Sequence, residues 1–356
     1  MPKFKIAIDI SPLNDGNSTR GVGYYTRNLV AALEKEIKIN PDFKNYQIDL
    51  ISNSSLDINN YSLVHYPYFD PFKLTLPQNQ IPYIVTCHDL IPRAFKIHFP
   101  VGLKGELKWL IQKHRLQKAN YIICPSFSAK YQILDQINYP SDQIFVTYEA
   151  ATPDFKKITD QKLLKKIKEK YQLPDDFVLF VGDINWNKNV PTLVKACLKL
   201  NYPLVIIGLA ATKKVPDHPW TKDILWLQSQ SSPLIKCLGF VPDKELPAIY
   251  NLAKIYCQPS YSEGFGLPLL QAMQSGTPVC YSEDSSLPEI MDFNGEYFDP
   301  YSQISLEKSL EKLWSNLKLR QKYSKNGQIR AKIFSWKFTA LQTLALYRLV
   351  ELNEKK

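Results

Sequence analysis

Short apolar runs alternate with stretches of helical periodicity along most of the chain. Residues 4–10 form an apolar run closed by a glycine-containing turn, and Val22, Tyr25, Leu29, Val30 and Leu33 then recur at helical spacing. Similar runs predict strands at 47–52, 63–66, 83–87, 121–124 and 144–147, with helices over 103–118 and from Ser126. The pattern restarts after a lysine-rich helical stretch. It predicts strands at 177–181, 204–208, 235–238, 253–257 and 278–281, and helices near 190–200, 243–252 and 265–275. A last helix over 335–352 places Phe338, Leu341, Ala345, Leu349 and Leu352 on one face. Near-continuous apolar strands separated by helices indicate α/β architecture, with parallel sheets covered on both faces. At roughly 150 residues per domain, the 356 residues divide into two Rossmann-like halves, 1–155 and 156–336. Two such domains facing each other would put ligands in a cleft at the carboxyl ends of their strands.

Composition narrows the class. A 45% hydrophobic and 22% charged content is too apolar and too mixed in sign for a disordered chain. No run reaches the ~18 apolar residues of a membrane span. The opening Met-Pro-Lys-Phe-Lys-Ile-Ala-Ile-Asp reads as a first strand and not as an export signal. A cytoplasmic location is therefore expected. Cys87, Cys124, Cys197, Cys237, Cys257 and Cys280 form no C-x-x-C pair or zinc spacing, and read as reduced core thiols.

Lys+Arg 44 against Asp+Glu 34 leaves a net charge of +10. The excess gathers at 103–118, 156–170 and 318–337. No zinc finger or aromatic-interleaved RNA-binding pattern accompanies it, so nucleic acid is not an expected partner. The 103–118 segment mixes lysines with Trp109 and leucines, the composition of an interfacial helix, and keeps peripheral contact with an anionic membrane in view. An ordinary amphipathic helix packed on a sheet has the same composition.

Candidate chemistry lies in the loops after strands. The loop 15–24 carries Gly21 and Gly23 ahead of a helix, which suits close approach of an anionic ligand. It lacks the third glycine of a dinucleotide fingerprint, which argues against NAD. His88 ends a strand in Cys87-His88-Asp89-Leu90; His65 ends another and is the weaker candidate. Gly182 closes the strand at 177–181, and Lys188 follows as a point charge before a helix, a pattern that suits phosphate. In the segment from Pro259 to Met273, Glu263 precedes Gly264-Phe265-Gly266-Leu267 and a helix start. Backbone N–H groups there could hold a diphosphate, and the carboxylate could accept from sugar hydroxyls.

The stretch from Glu263 to Gln271 resembles the E-x7-E motif of the retaining glycosyltransferases of family 4, whose fold is GT-B. Further matches run in order along the chain: Gly21-Val22-Gly23, His88-Asp89-Leu90-Ile91-Pro92, Phe180-Val181-Gly182 with Lys188-Asn189, Gly239-Phe240-Val241-Pro242-Asp243, Gly276-Thr277-Pro278-Val279 and Ser286-Leu287-Pro288-Glu289. The resemblance implies that Glu263 contacts the transferred sugar, the Gly264–Leu267 backbone holds the donor diphosphate, and Lys188 neutralises it. It implies that His88 lies near the donor sugar, that Phe240 and Val241 border the nucleobase, and that the Gly21–Gly23 loop approaches phosphate or acceptor. It further implies no metal or cofactor, a GDP-mannose or UDP-sugar donor, a glycan or lipid-linked acceptor, and return of a C-terminal helix, 337–356, to the first domain. Two departures stand out. Gln271 replaces the second acid, a neutral and weaker acceptor for ribose. Asp183 and Asn187 stand where the family often has an arginine. They motivate an alternative, a catalytically weak, glycosyltransferase-like binding or scaffold protein.

Overall fold

The computed structural model describes residues 4–354 apart from Asp15, Thr19, residues 53–57 and Asn79. Asp15 and Thr19 of the first loop, and the last two residues of the expected C-terminal helix, thus lie outside the described residues. In chain order the first elements are β1 (Phe4–Asp9), α1 (Gly21–Ile39), β2 (Tyr46–Ile51), β3 (Leu63–Tyr66), β4 (Tyr83–Thr86), α2 (Ile91–Ala94), α3 (Gly102–Leu116), β5 (Tyr121–Cys124), α4 (Phe127–Gln136) and β6 (Ile144–Val146). There follow α5 (Gln161–Tyr171), β7 (Val178–Val181), α6 (Val190–Leu200), β8 (Leu204–Ile207), α7 (Lys222–Gln228), β9 (Ile235–Gly239), α8 (Leu246–Leu252) and β10 (Ile255–Gln258). The chain ends with α9 (Leu267–Ser275), β11 (Val279–Ser282), α10 (Leu287–Met291), β12 (Glu296–Phe298), α11 (Gln303–Ser315), α12 (Leu317–Ala331) and α13 (Trp336–Glu354).

Two compact units result. One holds residues 1–96, 101–150 and 334–356; the other holds 97–100 and 151–333. Each is built on a six-stranded sheet, ordered β2-β1-β3-β4-β5-β6 in the first and β12-β11-β10-β7-β8-β9 in the second. All recorded pairings are parallel. The expected doubly covered α/β architecture is therefore present in both. Continuous burial along β4 and β8 is the signature of strands covered on both faces.

In the first unit, α1 turns Tyr25, Leu29, Val30 and Leu33 onto the sheet, as the spacing predicts. They share a core with Ile6 and Ile8 of β1 and with Ala340, Leu344, Tyr347 and Val350 of α13. The opposite face of that sheet packs Trp109 and Leu116 of α3 with Ala129 and Ile133 of α4. Helix α4 starts where expected: the Ser126 hydroxyl caps it by accepting from the Ala129 N–H at 3.0 Å.

Two features depart from the sequence reading. Phe338, Leu349 and Leu352 are exposed, and the buried stripe of α13 runs instead through Ala340, Thr343, Leu344, Tyr347 and Val350. Thr343 and Tyr347 enter the core because their hydroxyls are bonded, to the Thr339 carbonyl and to His65. An apolar-only pattern therefore selects the wrong face. Strand β12 was not expected at all, being a three-residue edge strand with an exposed central Tyr297.

Candidate active site

The parallel sheet of the second unit brings distant loops together. Strands β7 and β10 are neighbours, so the loops at their carboxyl ends lie side by side. Lys188 stands in a 3-10 turn after β7, just before α6, and Glu263 stands after β10. Their charged groups meet, Nζ to Oε2, at 2.6 Å. The other carboxylate oxygen of Glu263 accepts from Gln258 Nε2 at 2.7 Å and Ser260 Oγ at 2.6 Å. The backbone of Glu263 is held as firmly. Its N–H donates to Ser285 Oγ at 2.8 Å, and that hydroxyl donates back to the Glu263 carbonyl at 2.8 Å.

The loops are also tied to each other. Asn187 Nδ2 donates to the Ser262 carbonyl at 3.0 Å, and Asn189 Nδ2 to the carbonyls of Pro259 and Pro300 at 3.1 and 3.0 Å. Asn187 thus spends its side chain on loop closure where a cation is common in the family. Trp186 stacks on Tyr261 with ring centroids 4.9 Å apart, and Tyr261 on Tyr301 at 5.0 Å. His98, to which the sequence assigned nothing, covers the other side of Trp186 at 3.6 Å. Each inner ring lies two residues before Lys188 or Glu263, so the stack stiffens both.

Gly266 opens α9 at φ 103°, a left-handed conformation that favours glycine. The N–H groups of Leu267 and Leu269 lack an intrahelical acceptor, and Pro268 between them has no N–H. Phe265 is buried, Phe240 is exposed and Val241 is buried. Gly182 follows β7, and a Cβ on Gly208 would collide with its carbonyl. Gln271 faces inward from α9, and its amide oxygen accepts from the Tyr250 hydroxyl at 3.1 Å.

In the first unit, Gly23 is required by packing, since a Cβ would come within 2.5 Å of the Asn17 carbonyl oxygen. Gly21 instead leaves open space. His88 follows β4, flanked by the loops after β3 and β6. Its Nδ1 lies 3.0 Å from Glu149 Oε1 and its Nε2 3.1 Å from the Pro67 carbonyl oxygen. Burial opposes charge on His88, but the hydrogen bond and charge of Glu149, the Pro67 carbonyl and Asp89 outweigh it and raise its pKa. Tyr25 packs edge-on against the ring at 4.7 Å. Behind it, His65 is fully buried, with Nδ1 2.6 Å from Tyr347 Oη and Nε2 2.9 Å from Thr86 Oγ1. Burial lowers its pKa to about 3, so it is neutral and structural.

The sequence pointed to Lys188, Glu263 and His88 but missed their holders: Gln258, Ser260, Ser285 and Glu149. Glu149 had a usable signal, an acid just past the end of a predicted strand. The serines had none, because their partners lie in other loops. Among the described residues, no group of three or more His, Cys, Asp or Glu side chains is placed to hold a metal ion. No helix among them is long and apolar enough to cross a membrane.

Residues 162–330 match the family described as Glycosyl transferases group 1, and residues 26–154 match Glycosyltransferase Family 4. The O-antigen chain mannosyltransferase B of Escherichia coli is 29% identical over 297 residues, covering 80% of this chain and 74% of that one. The serotype-specific mannosyltransferase WbdA of Escherichia coli is 28% identical over 284 residues, covering 76% of this chain but 34% of that longer protein. The structure of Anabaena HepE in complex with UDP-glucose superposes with a TM-score of 0.73 at 15% identity, covering 96% of this chain and 99% of that one, and so shares the fold. With one family match in each unit and the Lys188–Glu263 loops inside one of them, the chain is a relative of the group 1 and family 4 glycosyltransferases.

Proposed function

We propose that the protein is a retaining, metal-independent glycosyltransferase that moves a hexose, mannose in the favoured reading, from a nucleotide-diphosphate sugar to a glycan or lipid-linked acceptor. The observation that carries this reading is the Lys188–Glu263 pair in the loops of neighbouring strands, with α9 starting at Leu267 after the Gly264-Phe265-Gly266 turn that follows Glu263. Breaking the sugar–phosphate bond leaves an oxocarbenium-like sugar and a diphosphate that gains charge. A fixed cation is the group that such a step needs most. Lys188 supplies it, and the first turn of α9 adds N–H donors and the positive end of the helix dipole. Glu263, braced by Gln258 and Ser260, accepts from a sugar hydroxyl once Lys188 turns to the diphosphate. His88 acts at the donor sugar, Phe240 and Val241 border the nucleobase, and the Gly21 loop approaches phosphate or acceptor. The products are the glycosylated acceptor, a nucleoside diphosphate and a proton, with no protein nucleophile assigned. The names of the Escherichia coli relatives favour mannose, and hence GDP-mannose over a UDP-sugar.

A second reading, a catalytically weak binding or scaffold protein, draws on Gln271 and Asn187. The carbonyl of Gln271 is already engaged by Tyr250, and the amide of Asn187 by Ser262. Calorimetry with GDP, UDP and ADP, followed by transfer assays with GDP-mannose and UDP-glucose, separates the two. Binding with transfer is expected. Binding without transfer selects the scaffold, and neither binding nor transfer removes both readings.

The proposed setting is the cytoplasm, with peripheral contact at the inner face of an anionic membrane. Helix α3 buries Gly105, Trp109, Gln112 and Leu116 on one side. Leu103, Leu107 and Leu110 lie on the opposite side, 85%, 62% and 60% exposed. Lys104 and Lys108 flank that stripe on one edge and Lys113 on the other. On α4, in the same layer, Phe127 and Tyr131 are likewise exposed opposite Ala129 and Ile133. An outward apolar stripe bordered by lysines suits insertion into an anionic interface.

A further inference from the structure

The two ring nitrogens of His88 both face acceptors. The Pro67 carbonyl can only accept, so Nε2 carries a proton. The second proton of the pair lies between Nδ1 and the Glu149 carboxyl. Burial opposes charge on the ring, but Glu149, the Pro67 carbonyl and Asp89 together hold the His88 pKa above its ordinary value, so the proton rests on the ring. Either nitrogen left bare would face an oxygen lone pair across about 3 Å in a partly buried site, a costly contact.

From this geometry we infer that Glu149 is a positioning residue for His88, fixing the ring as an imidazolium that acts on sugar transfer as a fixed positive charge and never as a base. The inference rests on the proposed role of His88 in transfer and adds the group that sets its charge and orientation. The neighbours agree. Asp89, next in the loop, also favours the cation. Tyr25 from α1 is held neutral, its phenol pushed up by burial. His65 from β3 is neutral through burial and adds no competing charge. The ring cannot turn freely either, because Tyr25 packs against it and is itself held through Thr86, 3.2 Å from the Tyr25 hydroxyl.

The test is a pH titration of the ring nitrogens by NMR in histidine-labelled protein. The chain has five histidines, so the His88 signal is assigned by its loss in H88Q. In the wild type both nitrogens should remain protonated above the ordinary midpoint of about 6.5. In E149Q the midpoint should fall below that of the wild type, and E149D should recover part of the difference. A wild-type His88 already neutral at pH 6.5, or the same midpoint in wild type and E149Q, overturns the inference without touching the transferase reading. The kcat–pH profile of sugar transfer is the second readout. Its alkaline decline should move to lower pH in E149Q, with the KM for donor nearly unchanged. A shifted NMR midpoint with an unmoved profile overturns the role of the His88 charge in transfer. The wild-type titration needs no variant, so misfolding of E149Q cannot hide the answer.

Discussion

Lys188 and Glu263 are 75 positions apart in the chain and 2.6 Å apart in space. Adjacency of β7 and β10 in the parallel sheet produces that meeting, and the Trp186–Tyr261 stack holds the two loops to it. Substituting alanine at either position should lower kcat by about 10²–10³-fold, the scale of losing one charge-stabilising group. Circular dichroism should show an intact fold in both variants. Near-normal transfer by Lys188→Ala or Glu263→Ala would remove the assigned roles.

Gln271 accepts from Tyr250 with its amide oxygen, so its NH2 is the end left for a ligand. Gln271→Glu keeps an acceptor for Tyr250 and replaces donors with charge. Nucleotide affinity should therefore change several-fold by calorimetry. Tyr250→Phe should cost about 1 kcal/mol of stability, one hydrogen bond. Unaltered nucleotide affinity in Gln271→Glu would mean that the side chain does not reach the ribose.

Buried His65 should make stability depend on pH. Its folded pKa is lowered to about 3 from 6.5, so the unfolded chain binds the extra proton first. The contribution is complete above about pH 6.5 and is lost progressively as pH falls towards 3. His88 runs the other way: its raised pKa gives stability that is full below its unfolded value and lost as pH rises through the folded one. Urea midpoints at pH 7 and pH 5 should therefore differ less in His65→Gln than in the wild type. An equal difference would mean that another group sets the acid limb.

The α3 stripe should drive vesicle binding. Wild type should sediment with vesicles containing phosphatidylglycerol at low salt and stay in solution with phosphatidylcholine alone. Leu107→Glu with Leu110→Glu should abolish the first result while leaving transfer to a soluble acceptor unchanged. Equal sedimentation of both proteins would place the contact elsewhere or discard it.

What the sequence displayed and what it hid divide along physical lines. Period and strand composition report burial, so β3 and β5 match their expected bounds and α6 its expected range. Motif spacing reports local chemistry, so Glu263, Lys188 and His88 were visible as candidates. Support from other loops was not. Ser285 reaches the Glu263 backbone only because β10 and β11 are neighbours, and Glu149 reaches His88 from the far side of β5. The buried face of α13 is not the one that carries Phe338, Leu349 and Leu352, because Thr343 and Tyr347 make their hydroxyl bonds inside the core.

Helix α13 has a consequence for biosynthesis. It supplies Ala340, Leu344, Tyr347 and Val350 to the core built on β1 and α1, and it is translated after the whole of the other unit. The unit whose strands leave the ribosome first thus cannot close its core until synthesis reaches the helix that seals it. Until then Ile6, Ile8 and Leu29 lack their last cover and His65 lacks a hydrogen-bond partner, while the second unit has every one of its elements already in hand. Order of maturation should therefore run opposite to order of translation, with the nascent first unit the one that depends on chaperones.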